Sequence, residues 1–219
     1  MDQEFWHRRW RKGEIGFHRD SVHPKLVTFW SRLTIPSNAR VFVPLCGKSL
    51  DMIWLAEQGH SIIGVELSEQ AIGEFFASTR YDTIAYERRD GFSIHRAGPY
   101  ELWCGDIFGL PADVLESIGA VYDRASLVAF PSDMRPRYAR FMHDRIPSGT
   151  PTLLISLAFD QNEMAGPPFA VPEGEIGTLY GDAFDIEIVE REDSLAGDPG
   201  LAKRGLTHLV ETVSLLTRR

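Results

Sequence analysis

The chain has 219 residues, a net charge of −8, and 43% hydrophobic and 25% charged residues, the balance of a soluble globular domain able to bury a core without disulfides or metals. No apolar run approaches the ~18 residues of a membrane span, and neither the two cysteines nor the seven histidines show CxxC, HExxH or zinc-finger spacing, so membrane insertion, a redox motif and a bound metal are not indicated. The acidic balance argues against nucleic acid as the main partner, and the charged, aromatic start MDQEFWHRRWRKG lacks a leader's apolar stretch, so we expect a cytoplasmic chain.

In chain order, residues 3–12 predict a helix ended by Gly13, with Trp6 and Trp10 one turn apart on the same face. The following EIGFHRDSVHP is too polar for a core yet carries Ile15, Phe17 and His18, and reads as part of a lid over 1–33. A second helix is expected over 24–33. Residues 40–52, RVFVPLCGKSLDM, read as a buried strand breaking at Gly47 into the start of a helix, a turn whose backbone N–H groups suit a nucleotide-like ligand. Gly47-Lys48-Ser49 matches the end of a P-loop, but the required first glycine falls on Phe42, which disfavours ATP or GTP.

A second strand is expected over 61–66, then a helix capped by Ser68 and running to about 78. Residues 82–96 are mixed and polar, irregular or a short hairpin. Strands follow over 100–104 and 119–123, a helix over 132–145 and a strand over 152–157. Then come a helix over 172–180 and two strands, 184–191 and 206–216, with no helix between them. Such a pair should run antiparallel, and a parallel βα sheet closed this way is typical of class I methyltransferases. The expected fold is therefore α/β and Rossmann-like: a mostly parallel seven-stranded sheet with a C-terminal antiparallel pair and helices on both faces. We expect one domain over 1–219.

Four strand ends converge on one edge of such a sheet. Glu66 follows Gly47 by about 20 positions, the offset at which an acid accepts hydrogen bonds from ribose hydroxyls. Asp106 or the Ile107 N–H is placed to meet an adenine edge, and Asp123 with Arg124 completes the row. A dinucleotide would need GxGxxG, and only one of those glycines is present. S-adenosylmethionine has one adenosine, no pyrophosphate and a sulfonium that favours aromatic faces, which suits a single-glycine turn below Trp10 or Phe17. Methyl transfer is driven by alignment and water exclusion, so a lid matters more than an acid–base apparatus.

With Trp10, Gly13 and Phe17-His18, the motifs PLCGKSLDM, GVELSE, CGDIFGL, YDRASLVA and GPPFAVP, and the closing Leu215-Leu216-Thr217, the chain resembles the thiopurine S-methyltransferase family in its bacterial branch over nearly its whole length. The resemblance implies an S-adenosylmethionine-dependent thiol methyltransferase that leaves S-adenosylhomocysteine. In it Trp10, Leu45, Glu66 and Arg124 contact the cofactor, Asp106 and Ile107 border the adenine, and Phe17 lies over the substrate. Bacterial relatives are also associated with methylation of selenium and tellurium compounds.

The acceptor is expected to enter between Phe17, Arg124 and the loop carrying Phe169, with Arg124 orienting the thiolate. The partner is thus a small thiol or selenium compound, with no metal, nucleic acid or membrane, and the protein is expected to be a monomer. The competing readings are a non-catalytic S-adenosylmethionine-binding protein and an NAD-dependent oxidoreductase.

Overall fold

The computed structural model describes residues 3–219, and Met1 and Asp2 of the expected lid lie outside them. The chain divides into two compact units, Met1–Tyr122 and Asp123–Arg219. In the first, α1 (Gln3–Arg11) and α2 (Pro24–Phe29) precede β1 (Arg40–Val43), α3 (Asp51–Glu57), β2 (Ser61–Glu66) and α4 (Glu69–Ala77). Next come β3 (Ala85–Arg89), β4 (Phe92–Ala97), β5 (Tyr100–Cys104) and β6 (Ala120–Arg124), whose last two residues begin the second unit.

The strand order in this unit is β3-β4-β5-β2-β1-β6. β2 runs parallel to β1 and β5, and β6 runs parallel to β1 with Val41 opposite Ala120. Val41, Phe42, Ile62, Ile63, Leu102 and Val121 are all buried, as continuous apolar runs should be in strands covered on both faces. The chain lays β2 and β5 on one side of β1 and then crosses to put β6 on the other, so the order reverses at β1. Beyond the carboxyl ends of strands at such a reversal lies the usual ligand crevice of an open α/β sheet.

The described residues contain nine strands where seven were expected. The added pair is the antiparallel hairpin β3–β4, which begins in the stretch 82–96 that the sequence left as irregular or a short hairpin and ends one residue past it. Its turn residues Asp90 and Gly91 have φ of 50° and 86°, the left-handed pair that an Asp-Gly dipeptide adopts in a two-residue hairpin.

The second unit holds α5 (Arg135–Arg145), β7 (Pro151–Ala158), α6 (Glu173–Tyr180), β8 (Phe184–Asp193), α7 (Pro199–Lys203) and β9 (Val210–Arg218). β9 pairs antiparallel with both β7 and β8, as expected for the closing pair. Arg135 is buried at the start of α5, where its Nε donates to the Phe130 carbonyl at 3.0 Å and its Nη1 to Glu175 of α6 at 2.6 Å. That helix starts three residues later than expected. The last strand starts at Val210 instead of 206, because Leu206 and Leu209 pack with Met164 and Leu201 in a separate apolar cluster and the intervening loop forms α7, capped by Asp198.

Candidate functional site

The turn after β1 is pulled onto the sheet. A Cβ on Gly64 of β2 would stand 2.7 Å from Cys46 Sγ and from Leu102 Cδ2, so only a bare backbone there lets the turn approach. The Cys46 N–H then donates to the Val65 carbonyl at 3.0 Å. Leu45 and Gly47 take left-handed φ of 44° and 52°, and a non-glycine residue such as Leu45 stays in that region only where the surrounding structure holds it there.

The amide of Gly47 donates to Glu66 Oε2 at 3.0 Å, and the amide of Ser68 donates to Glu66 Oε1 at 2.8 Å. This differs from the expected cradle, since the Gly47 N–H is committed to the acid. Burial pushes the Glu66 carboxyl up from its ordinary range, against the lowering pull of the Ser68, Gly47 and Leu67 amides. The Gly47 and Ser68 bonds fall one on each oxygen, and the Leu67 amide adds to their pull. A buried carboxylate at the end of β2 stands where the diol of an adenosine-type ligand is held in folds of this kind.

The lysine of the P-loop-like run is engaged elsewhere. Lys48 Nζ lies 2.7 Å from Glu74 Oε2, and that contact, with a Gln70 hydrogen bond, holds the Glu74 carboxyl below its ordinary range.

Helix α1 stands against this edge. Trp10 is buried, and its Cζ2 lies 3.3 Å from where a Gly47 Cβ would be. The Phe17 ring meets Trp10 edge-on at 5.6 Å and Trp6 at 5.9 Å. Gln70 Nε2 of α4 donates to the Trp10 carbonyl at 3.4 Å, and Gln3 Nε2 donates to Asp106 Oδ2 at 3.1 Å. The other Asp106 oxygen accepts the Phe108 N–H at 3.0 Å and caps the short turn Ile107–Gly109, with Ile107 buried. The fold thus gathers Trp10, Phe17, Leu45, Gly47, Glu66, Asp106 and Ile107 on one edge of the first unit.

Asp51 was not singled out from the sequence. It is buried in the first turn of α3, where Oδ1 accepts the His23 N–H at 2.7 Å and Oδ2 accepts the Tyr122 hydroxyl at 2.9 Å. It therefore ties the base of the N-terminal segment to β6. The only local signal was an acid in the first turn of a helix, which ordinarily reads as a solvated cap. Burial keeps both thiols protonated, Cys46 well above its ordinary range and Cys104 pushed up to about 11, so neither is a ready nucleophile. Among the described residues, no group of three His, Cys, Asp or Glu side chains could hold a metal ion.

Arg124 and Phe169 belong to the second unit. Arg124 is the half-buried last residue of β6, followed by Ala125 at a φ of 63°. Before it, Asp123 is buried and its Oδ2 accepts the Tyr138 hydroxyl at 2.7 Å. Burial pushes Asp123 up to about 6, opposed by that bond. The Phe169 N–H donates to the Val128 carbonyl at 2.7 Å, and Arg204 Nη2 donates to the Pro167 carbonyl at 2.9 Å. A Cβ on Gly166 would meet the Phe169 ring at 2.5 Å, so this loop packs on itself.

The family model described as thiopurine S-methyltransferase matches residues 1–219. A thiopurine S-methyltransferase of Methylococcus capsulatus is 46% identical over 211 residues, covering 96% of this chain and 95% of the relative. One of Bordetella petrii is 45% identical over 219 residues, covering 100% of both. Among solved structures, a Burkholderia thailandensis 1,6-didemethyltoxoflavin-N1-methyltransferase with bound 1,6-didemethyltoxoflavin and S-adenosylhomocysteine superposes with a TM-score of 0.64. At 15% identity, covering 99% of this chain and 87% of that one, it shows the shared fold.

Proposed function

The chain belongs to the thiopurine S-methyltransferase family and uses S-adenosylmethionine, and from that premise we propose that it methylates the sulfur of small aromatic or heterocyclic thiols. The observation that carries the reading is the buried Glu66 carboxylate bonded to the Gly47 amide beneath the Trp10 ring. Glu66 would hold the ribose hydroxyls, Asp106 and Ile107 the adenine, and Trp10, Leu45 and Gly47 the remainder. When bound, S-adenosylmethionine supplies an electrophilic methyl group on a sulfonium cation.

Phe17 then forms an aromatic wall for the acceptor, Phe169 a second contact, and Arg124 a planar cation that orients a thiolate. Aromatic thiols ionise near neutral pH, so no strong base is required of the protein. Selenium analogues, and tellurium compounds after them, are softer nucleophiles of the same type and belong to the proposed acceptor range. The proposal includes a cytoplasmic monomer acting on diffusible small molecules.

The test is methyl transfer from radiolabelled S-adenosylmethionine to a panel of thiol, selenol, hydroxyl and amine acceptors. Label should appear fastest in thioethers. Faster reaction of oxygen or amine acceptors than of every thiol tried would overturn the reading.

A further inference from the structure

We propose that Arg204 is a positioning residue for the acceptor: by holding the Pro167 carbonyl it sets where the Phe169 ring stands, and so limits the size of the thiol that is methylated. The inference rests on the reading above of Phe169 as an acceptor contact. Pro167 and Pro168 are consecutive and neither has a backbone N–H, so this stretch of the loop can be fixed only by packing or through its carbonyls. Arg204, just past α7, supplies the donor: its Nη2 donates to the Pro167 carbonyl at 2.9 Å. The Phe169 ring lies on the bare backbone of Gly166, where a Cβ would come within 2.5 Å of Cδ1. A shift of the Gly166–Pro167 backbone therefore moves the ring that rests on it.

The far side of the loop is tied to the sheet side of this unit. The Phe169 N–H donates to the Val128 carbonyl at 2.7 Å, the Ala170 N–H to Gln161 Oε1 at 2.8 Å, and the Val171 N–H to the Leu157 carbonyl at 2.7 Å. The double-proline stretch is thus the part whose place depends on Arg204. That bond has support on both sides. Glu163, earlier in the same loop, accepts the Thr207 N–H at 2.9 Å and the Thr207 hydroxyl at 2.5 Å, and Met164 is buried with Leu201, Leu206 and Leu209. The segment that carries Arg204 and the loop that carries Phe169 are therefore one packed block. Arg204 itself is exposed, so its side chain can be removed without opening that apolar cluster.

The test compares wild type, R204A and R204K on thiophenol and 2-naphthalenethiol, a small and a large aromatic acceptor. In R204A the KM for thiophenol should rise about fivefold, while the KM for S-adenosylmethionine and the urea midpoint stay unchanged. The kcat/KM ratio of thiophenol to 2-naphthalenethiol should fall about fivefold, because a ring free to swing confines the smaller acceptor less and admits the larger. R204K keeps a cationic donor and should restore part of both. Hydrogen exchange at the Phe169 and Ala170 amides should quicken in R204A with the β7 amides unmoved, a readout that needs no acceptor. A fall in kcat alike for both thiols, with KM and the ratio unmoved, reduces Arg204 to a structural contact and overturns the proposal, as does unchanged exchange. If exchange quickens but wild-type protein methylates neither thiol, the thiol reading itself falls and the acceptor role of Arg204 falls with it.

Discussion

The Gly47 amide and the Glu66 carboxylate are joined at 3.0 Å, so the group proposed to receive the ribose also fixes the turn beneath the ligand. Structure and binding are therefore coupled at one side chain. Glu66→Ala should cost about 1.5–3 kcal/mol of S-adenosylmethionine affinity, the range for hydrogen bonds to a charged acceptor. Because burial raises the Glu66 pKa, the carboxylate takes up a proton as pH falls through that raised value and accepts hydroxyl donors less well. Affinity should thus be full above this pKa and decline below it, and Glu66→Gln should flatten the dependence. Calorimetric affinity unchanged in Glu66→Ala would remove this residue from the site.

Gly47→Ala should destabilise the protein by about 1–3 kcal/mol, since an L residue must then hold a strained left-handed φ. The new Cβ would also press on Trp10 at 3.3 Å. In urea titrations the double variant with Trp10→Ala should lose less than the sum of the two single changes, because they share that contact. Full additivity would mean that the ring does not bear on the glycine.

The N-terminal segment should act as a lid. Hydrogen exchange in residues 3–20 should slow when cofactor and acceptor are both present. Gln3→Ala and Gln70→Ala should each speed exchange in the free protein by removing the bonds to Asp106 and to the Trp10 carbonyl. Equal rates with and without ligands would sink the lid.

Asp123 should make stability depend on pH. Its folded pKa of about 6 stands above the ordinary 3.8, so its contribution is fully present below the ordinary value and is lost as pH rises through about 6. Asp123→Asn keeps an acceptor for Tyr138 without the buried charge. It should raise stability at pH 8 by about 1–3 kcal/mol, with little gain at pH 4. Urea titrations across this range check it, and an equal loss at both ends would contradict it.

Arg124→Lys keeps the charge and loses the fork. Turnover with a good thiol should fall by about tenfold or more, while S-adenosylmethionine affinity changes less. Matched losses in both would reduce Arg124 to a cofactor contact.

Several features were legible along the chain because their physics is local. Continuous apolar runs marked β1 and β2 as covered strands, Ser68 marked the start of α4, and the spacing from Gly47 to Glu66 marked a strand-end acid. Together with the linear motifs, these determined the fold class and the family. The stretch 82–96 was legible only as irregular or a short hairpin, and its Asp90-Gly91 turn signal was not read.

Other features depend on long-range approach, which no local pattern encodes. Asp51, not singled out from the sequence, gains its role only where the His23 amide and the Tyr122 hydroxyl are brought to it. The Gly47 N–H looked available for a ligand until the end of β2 placed Glu66 against it. Arg9 lies over Phe5 one turn back on its own helix, whereas its approach to the Phe17 ring came only with Phe17 folding back onto α1. Sequence alone determined which chemical groups stand at the strand ends, since spacing along a strand or helix fixes which residues share an edge. Tertiary structure decided which of those groups are already spent on one another, because a hydrogen bond between distant segments forms only when packing holds both at the same place.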